Sequence, residues 1–445
     1  MTERRAGRLT TAEYERNFAE IHPALNADEA FAEASRCLYC FDAPCTRACP
    51  THIDVPSFIK KIASGNLRGS ARVILDANPM GHSCARGCPT EVLCEGACVM
   101  NALQKKPIPI GQLQRVATDH VLSRGIQLFS AGEANGKSVG IVGSGPAGLS
   151  AAQDLRRWGF AVTLYEQKDR VGGLNTDGIA QYKLRPDTAL AEAQSVLDLG
   201  VTVKLNVTVG QSLAWDTLLA AHDAIIVAAG LGDTNRLGIP GEDQPGVLDS
   251  LHFIADVKLR PYAETPVGRT VCVIGAGNTA VDASTQAHRL GAQKVMLIIR
   301  RGPADISAYD HEVALAKHDE VELRTHTRPI AVLGDGDGVT GLQCVSTAMG
   351  ADGKLQDVPG SEHVIACDMV IKAIGQQKRG TWLSAIPGVA VAGGLPVFDP
   401  VSGQSLGNPK VFVAGDLANG GAEIVNAAAE GKRAAAGIAA HLGGK

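Results

Sequence analysis

Eight of the chain's eleven cysteines lie between residues 37 and 98. Cys37, Cys40, Cys45 and Cys49 form one run, Cys-x2-Cys-x4-Cys-x3-Cys-Pro. Cys84, Cys88, Cys94 and Cys98 form a second, Cys-x3-Cys-Pro-x4-Cys-x3-Cys. Thiols at this density hold a metal, pair as disulfides or carry out exchange chemistry. The N-terminus, MTERRAGRLTTAEYERNFAE, has no apolar leader, and no stretch approaches 18 uninterrupted apolar residues. No secretion signal or membrane span is therefore expected, and the expected location is the cytoplasm. Thiols stay reduced there, which disfavours a disulfide framework. Two Cys-Pro steps and close spacing are iron–sulfur traits, although the x4 gap departs from the bacterial ferredoxin run. Zinc is the alternative. It prefers two Cys-x2-Cys pairs at longer separation, and being redox-silent it would serve structure alone.

Two glycine fingerprints supply further chemistry. In KSVGIVGSGPAGLSAAQDLRRWGFAVTLYEQ, Gly143, Gly145 and Gly148 follow an apolar strand as G-x-G-x-x-G, and Glu166 closes the next strand. The first glycine permits the tight turn, the second lets the backbone approach a pyrophosphate, and the third lets helix and strand pack closely. The anion then meets the helix N-terminus through Ser144, Pro146 and Ala147, and the carboxylate can bind ribose hydroxyls. VGGL, with Gly172, Gly173 and Leu174, follows at once. In RTVCVIGAGNTAVDASTQAHRLGAQKVMLIIRR the motif returns as Gly275, Gly277 and Ala280, with Asn278 and Thr279 opening the helix. Arg300 and Arg301 occupy the place of the acid. A guanidinium there suits a 2′-phosphate or can lie on an adenine face, so NAD and NADP both stay open.

These motifs must be positioned by an α/β chain: an N-terminal α-helical cysteine domain followed by two doubly wound, Rossmann-like nucleotide-binding domains. The expected boundaries are residues 1–135 for the cysteine domain, 136–245 with 375–445 for the first nucleotide domain, and 246–374 for the second. Helical spacing appears in TAEYERNFAEI, VPSFIKKIASGNL and IGQLQRVATDHVLSRG, and SAGEANGK reads as a linker. The C-terminal NPKVFVAGDLANGGAEIVNAAAEGKRAAAGIAAHL is expected to return a strand and helix to the first nucleotide domain. Aromatic residues make up 4% of the chain, the net charge is −4, and the pI is near 6.3. That balance offers neither a stacking surface nor a basic footprint for nucleic acid or an anionic membrane. Cys272, Cys344 and Cys367 sit singly on apolar strands and read as core. No Cys-x-x-Cys or Cys-x4-Cys pair lies near the first fingerprint, so electrons from a flavin need another exit.

The first fingerprint paired with VGGL resembles the FAD-binding domains of flavoprotein disulfide reductases. That resemblance places Lys183, Gly415 and Asp416 on the flavin side. It makes KAIGQQ, with Ala373, Ile374 and Gly375, the strand leading back from a nicotinamide domain. With the cysteine runs included, nearly the whole chain resembles the electron-input part of dihydropyrimidine dehydrogenases, more closely their separate bacterial NAD-dependent subunit. The glutamate synthase small subunit is similar over the same length. The resemblance implies FAD, a nicotinamide cofactor and two 4Fe–4S clusters. One cluster would take Cys37, Cys40, Cys45 and Cys98; the other would take Cys49, Cys88, Cys94 and Gln114 of IGQLQ. Cys84 has no counterpart ligand. Glutamate synthase small subunits tend to carry glutamate at position 114, which favours the pyrimidine reading. The NADPH-using dehydrogenases have an arginine where this chain has Ser307, so NADH is preferred and NADPH remains an alternative. The implied partner is an FMN-containing catalytic subunit that reduces uracil or thymine. The other readings are a glutamate synthase subunit, a stand-alone NAD(P)H:acceptor oxidoreductase, and a zinc-stabilised binding module.

Overall fold

The computed structural model describes residues 6–443. They form two compact units. One comprises the described residues up to Glu20, with Asp177–Tyr182 and Asp233–Gln377. The other comprises Ile21–Thr176, Lys183–Gly232 and the described residues from Lys378 onward.

The larger unit begins with short helices around the cysteines: α1 (Ala27–Ser35), α2 (Val55–Ala63), α3 (Leu67–Ala77), α4 (Gly81–Gly87) and α5 (Ile110–Leu122). Their starts are written locally. Asn26 and Glu29 form a capping box on α1, Asp54 caps α2 with a proline in its first turn, and Asn66 caps α3. The helix α2 buries Val55, Phe58, Ile59 and Ile62, an i, i+3, i+4, i+7 stripe that faces its neighbours. Two of the expected helical runs thus appear as α2 and α5. The third forms Thr11–Asn17 in the other unit.

The flavin-type fold follows with β1 (Ser138–Val142), α6 (Pro146–Arg157), β2 (Ala161–Tyr165), α7 (Pro186–Leu197), β3 (Thr202–Lys204) and β4 (Ala224–Val227). In the smaller unit the chain builds β5 (Val247–Asp249), β6 (Thr270–Ile274), α8 (Asn278–Arg289), β7 (Lys294–Ile298) and β8 (Glu322–Arg324). An antiparallel group comes next: β9 (Thr327–Gly334), β10 (Val339–Met349), β11 (Leu355–Asp357) and β12 (His363–Ala366). The strand β13 (Met369–Lys372) ends that unit. The chain then supplies β14 (Val411–Val413) and α9 (Ile424–Leu442) to the larger one. The two nucleotide-binding sheets share a spatial arrangement with the fingerprint strand at the centre, but the edge strand beyond it is the last of its sheet in one (β14) and the first in the other (β5). Their orders are β14-β4-β1-β2-β3 and β5-β13-β6-β7-β8, every pairing parallel. Parallel strands covered on both faces read as unbroken apolar runs, which is why VGIV and VCVI needed no alternation to be recognised.

The helices α9 and α6 cross closely because a Cβ at Gly431 would stand 2.0 Å from the carbonyl oxygen of Ala147. A polar seam joins the cysteine helices to this fold within the larger unit. Lys432 Nζ reaches Asp154 at 2.8 Å and the Asp76 carbonyl at 3.0 Å. Arg157 pairs with Asp76 at 2.6 Å and lies over the Phe129 ring at 4.4 Å. Gln153 donates to the Leu75 carbonyl at 3.0 Å.

Candidate redox-cofactor sites

The turn after β1 has the backbone that its glycines predict. Gly143 has φ 103° and would place a Cβ 2.4 Å from the Ala228 carbonyl oxygen; a Cβ at Gly148 would stand 2.1 Å from the carbonyl oxygen of Gly143. Gly145 is the N-cap of α6, with Pro146 and Ala147 opening the helix. VGGL folds back onto this turn. Gly172 donates its N–H to the Ser144 carbonyl at 3.0 Å, a Cβ at Gly173 would meet Gly145 Cα at 2.8 Å, and Leu174 starts a short helix, Leu174–Asp177. Two motifs separated in sequence therefore make one bare backbone cradle at a helix N-terminus, the surface a pyrophosphate needs. Glu166, buried at the end of β2, accepts from the Ser144 N–H at 3.0 Å, the Ser144 hydroxyl at 2.5 Å and the Lys168 N–H at 2.9 Å. Those bonds orient a carboxylate beside the cradle, and the donor set fits FAD. Gly415 (φ 74°) places its N–H 2.7 Å from Glu430, and Asp416 accepts from the Ala422 N–H at 3.1 Å. Burial raises the Asp416 carboxyl above its ordinary range. Lys183 is half-buried at the start of the segment that re-enters this unit.

The smaller unit repeats the device. Gly275 has φ 156° and would place a Cβ 2.3 Å from the Ala373 carbonyl oxygen, so β13 closes against the turn. Ala373 continues that ladder by donating to Ile274, and Asn235 bonds the carbonyls of Ile374 and Gly375. Gly277 caps α8; Asn278 accepts from the Tyr309 N–H at 3.0 Å, Thr279 follows in the first turn, and Ala280 is buried. Arg300 and Arg301 are both exposed just after β7, and among the described residues neither guanidinium has an ion-pair or hydrogen-bond partner. Ser307 lies beside the turn, its hydroxyl donating to the Ala276 carbonyl at 3.1 Å.

The N-terminal thiols fall into two neighbourhoods. Burial raises the Cys37 thiol, and the charges of Cys40 and Cys98 add to it. Burial pushes Cys45 up to about 11, with Cys37 and Cys98 among its neighbours. Cys88 is held well above the ordinary range by its hydrogen bond with Cys84, by burial, and by Cys94 and Cys49. Cys94 is raised by burial, by Glu95, by Cys49 and, from the first group, by Cys45. The spacing comes from tight local turns. Tyr39 takes a left-handed φ of 50° between Cys37 and Cys40, and Gly96 packs so closely on the Glu91 carbonyl that a Cβ would stand 2.2 Å away. Gln114, buried on α5, donates to the carbonyl of Gly81 on α4 at 2.5 Å. Cys84 is buried and accepts from Asn78 Nδ2 at 3.2 Å. Neutral thiols must lose protons when a metal binds, and eight thiols in two adjoining sulfur-rich neighbourhoods suit two clusters rather than one ion. Among the described residues no three His, Cys, Asp or Glu side chains converge tightly enough to hold a single metal ion.

Sequence reasoning missed two features. Cys272, Cys344 and Cys367, single in the sequence, converge in one apolar core, where a Cys272–Cys367 hydrogen bond and burial hold the Cys272 thiol well above its ordinary range. Glu192 on α7 is buried against α4. A carboxylate sharing a helix face with Ala189, Ala193 and Val196 was the available signal.

A helical thiol domain joined to an FAD-type and a nicotinamide-type fold defines an iron–sulfur flavoprotein that takes electrons from NAD(P)H. Residues 14–126 match the model for dihydropyrimidine dehydrogenase domain II, 4Fe-4S cluster, and residues 137–431 match that for pyridine nucleotide-disulphide oxidoreductase. The chain is 33% identical over 427 residues to the NAD-dependent dihydropyrimidine dehydrogenase subunit PreT of Escherichia coli K12, covering 96% of this chain and 97% of that one. It is 32% identical over 440 residues to the Glutamate synthase [NADPH] small chain of the same organism, covering 95% and 93%. Mycobacterium tuberculosis FprA in complex with NADPH shares the fold, with a TM-score of 0.56 at 21% identity over 69% of this chain and 84% of FprA. The chain belongs to the pyridine nucleotide-disulphide oxidoreductase family, as an electron-input flavin and iron–sulfur oxidoreductase of the PreT and glutamate synthase small-subunit type. Among the described residues no helix is long and apolar enough to cross a membrane.

Proposed function

We propose that this chain is the electron-input subunit of an NADH-dependent dihydropyrimidine dehydrogenase, delivering electrons to an FMN-containing partner subunit that reduces uracil or thymine to the 5,6-dihydro form. The observation that carries this reading is Gln114: buried on α5, its amide is oriented by the Gly81 carbonyl at the start of the helix that leads to Cys88. Bound to the chain, FAD and the clusters supply hydride acceptance and one-electron release. The protein supplies position. Gly143, Gly145, Gly148, Gly172 and Gly173 admit the flavin pyrophosphate, Glu166 its ribose, and Gly275, Gly277 and Ala280 the nicotinamide nucleotide. The proposed cluster ligands are Cys37, Cys40, Cys45 and Cys98 for one site, and Cys49, Cys88, Cys94 and Gln114 for the other. Phe41 is fully exposed and Leu38 more than half exposed beside Cys37 and Cys40, an apolar rim suited to a docking partner.

Mixing the chain with an FMN-containing pyrimidine-reducing subunit and NADH is expected to consume uracil, and neither protein alone is expected to do so. No uracil loss in the mixture would overturn the reading. The glutamate synthase reading has comparable sequence support, and glutamate formation with that enzyme's large subunit would establish it instead.

NADH is the proposed donor because Ser307 stands where a third cation would complete a clamp on a 2′-phosphate. Introducing that cation by Ser307→Arg adds one charge-assisted hydrogen bond, about 1.5–3 kcal/mol. The ratio of kcat/KM for NADPH over NADH should therefore rise by roughly tenfold or more. An unchanged ratio would remove Ser307 from the specificity determinants.

A further inference from the structure

Glu192 is 1% exposed and projects from α7 of the flavin-binding fold. It accepts the His82 N–H at 2.6 Å, the Ser83 N–H at 3.2 Å and the Ser83 hydroxyl. These donors are the first residues of α4, whose Gly81 carbonyl holds Gln114 and whose C-cap is Cys88. One carboxylate thus grips the helix that connects to both of those proposed ligands. A buried carboxylate is costly unless it is hydrogen-bonded, and the His82 and Ser83 donors at the start of α4 are what offset that cost here.

The titratable and charged groups on the neighbouring elements are His82 and Arg86 from α4, Arg115, Asp119 and His120 from α5, and Asp154, Arg156 and Arg157 from α6, Arg156 donating to the Leu199 carbonyl just after α7 at 2.9 Å. His82 Nδ1 lies 3.1 Å from Asp119, and burial pushes the imidazole down to about 3, so it is neutral. Arg86 is paired with Asp119 at 2.7 Å and also stabilises the charged form of Glu192. Burial nevertheless pushes the Glu192 carboxyl up to about 7, so its charge changes across the neutral range.

We propose that Glu192 is a positioning residue for the second cluster: it fixes α4 from the flavin-binding fold, and its carboxylate charge sets the potential of the cluster held by Cys49, Cys88, Cys94 and Gln114. The proposal rests on the two-cluster reading above. A negative charge nearby disfavours adding an electron, so the potential should be lower where Glu192 is ionised.

The test is an EPR-monitored redox titration of the purified holoprotein, carried out at pH 6 and pH 8 on the parent, Glu192→Gln and Glu192→Asp. Glutamine keeps the acceptor oxygen and removes the charge. The expected result is that Glu192→Gln moves one cluster to a less negative potential and leaves the other in place. The shift should be larger at pH 8, and the parent's change between the two pH values should shrink. Parent potentials at both pH values, with iron intact, would overturn the proposal. If Glu192→Gln loses the second cluster, retention of that cluster in Glu192→Asp supports a role for the charge. Its loss in both variants reduces Glu192 to packing and overturns the proposal. A parent with no reducible cluster overturns the two-cluster reading itself, and this proposal with it.

Discussion

Serine in place of Cys88 should halve the iron and leave the flavin. Two 4Fe–4S clusters amount to about eight irons per chain, so the variant should retain about four. The thiol of Cys88 belongs to the neighbourhood of Cys49 and Cys94, where a hard hydroxyl is a poor substitute for a soft thiolate. Bleaching of the flavin by NADH should continue, because both nucleotide-binding turns are untouched. Electron delivery to an external one-electron acceptor should fall by more than about tenfold, the lower end of the loss seen even for outer-shell ligand support. Cys84→Ser is the paired control. Cys84 also touches Cys88 and is buried, yet it is not a proposed ligand, so its iron content should stay at about eight. Iron analysis and flavin absorbance on anaerobically purified protein decide the matter. Full iron in Cys88→Ser, or half iron in Cys84→Ser, would transfer the ligand role to Cys84.

The flavin turn offers a second large effect, one that separates binding from folding. A Cβ at Gly145 has room in the protein alone, its nearest neighbour being Gly173 Cα at 4.0 Å. The space it would fill is the approach to the pyrophosphate. Gly145→Ala should therefore fold with a Tm close to that of the flavin-free parent while its FAD content drops by more than about tenfold, about 1.4 kcal/mol or more of lost binding. Gly148→Ala should behave differently. Its Cβ would stand 2.1 Å from the Gly143 carbonyl oxygen and 3.2 Å from Ile141 Cγ2, so helix α6 must lift from β1. Overpacking of this kind costs about 1–3 kcal/mol of stability in addition to the lost flavin. The ratio of flavin to protein absorbance, measured alongside thermal unfolding, distinguishes the two. Full flavin in Gly145→Ala would show that the cradle is not the pyrophosphate site.

The residues that proved legible in the sequence are those whose backbone leaves no alternative. Gly143 and Gly275 adopt positive φ values, and a Cβ on either would stand 2.4 or 2.3 Å from a carbonyl oxygen, so only glycine fits and the sequence had to display them. Fully buried parallel strands such as Val139–Val142 and Val271–Ile274 had to be continuous and apolar, and the return of β14 followed from the same pattern. The cysteine runs announced themselves because no other residue supplies a thiolate.

What the sequence by itself determined, then, is the fold class, the two nucleotide turns and the presence of a sulfur-rich redox domain. The tertiary structure alone decided how these parts are joined. The contact of VGGL with Gly145 spans 28 residues (173 − 145), and the grip of Glu192 on His82 spans 110. The convergence of Cys272, Cys344 and Cys367 likewise joins β6 and β10 to the segment before β13. Such pairings carry no local periodicity, because a carboxylate on an apolar helix face or a lone thiol on a strand gains its meaning only from the surface packed against it. Secondary structure and cofactor turns are local demands on the chain. The arrangement of charge and sulfur around them is a property of packing.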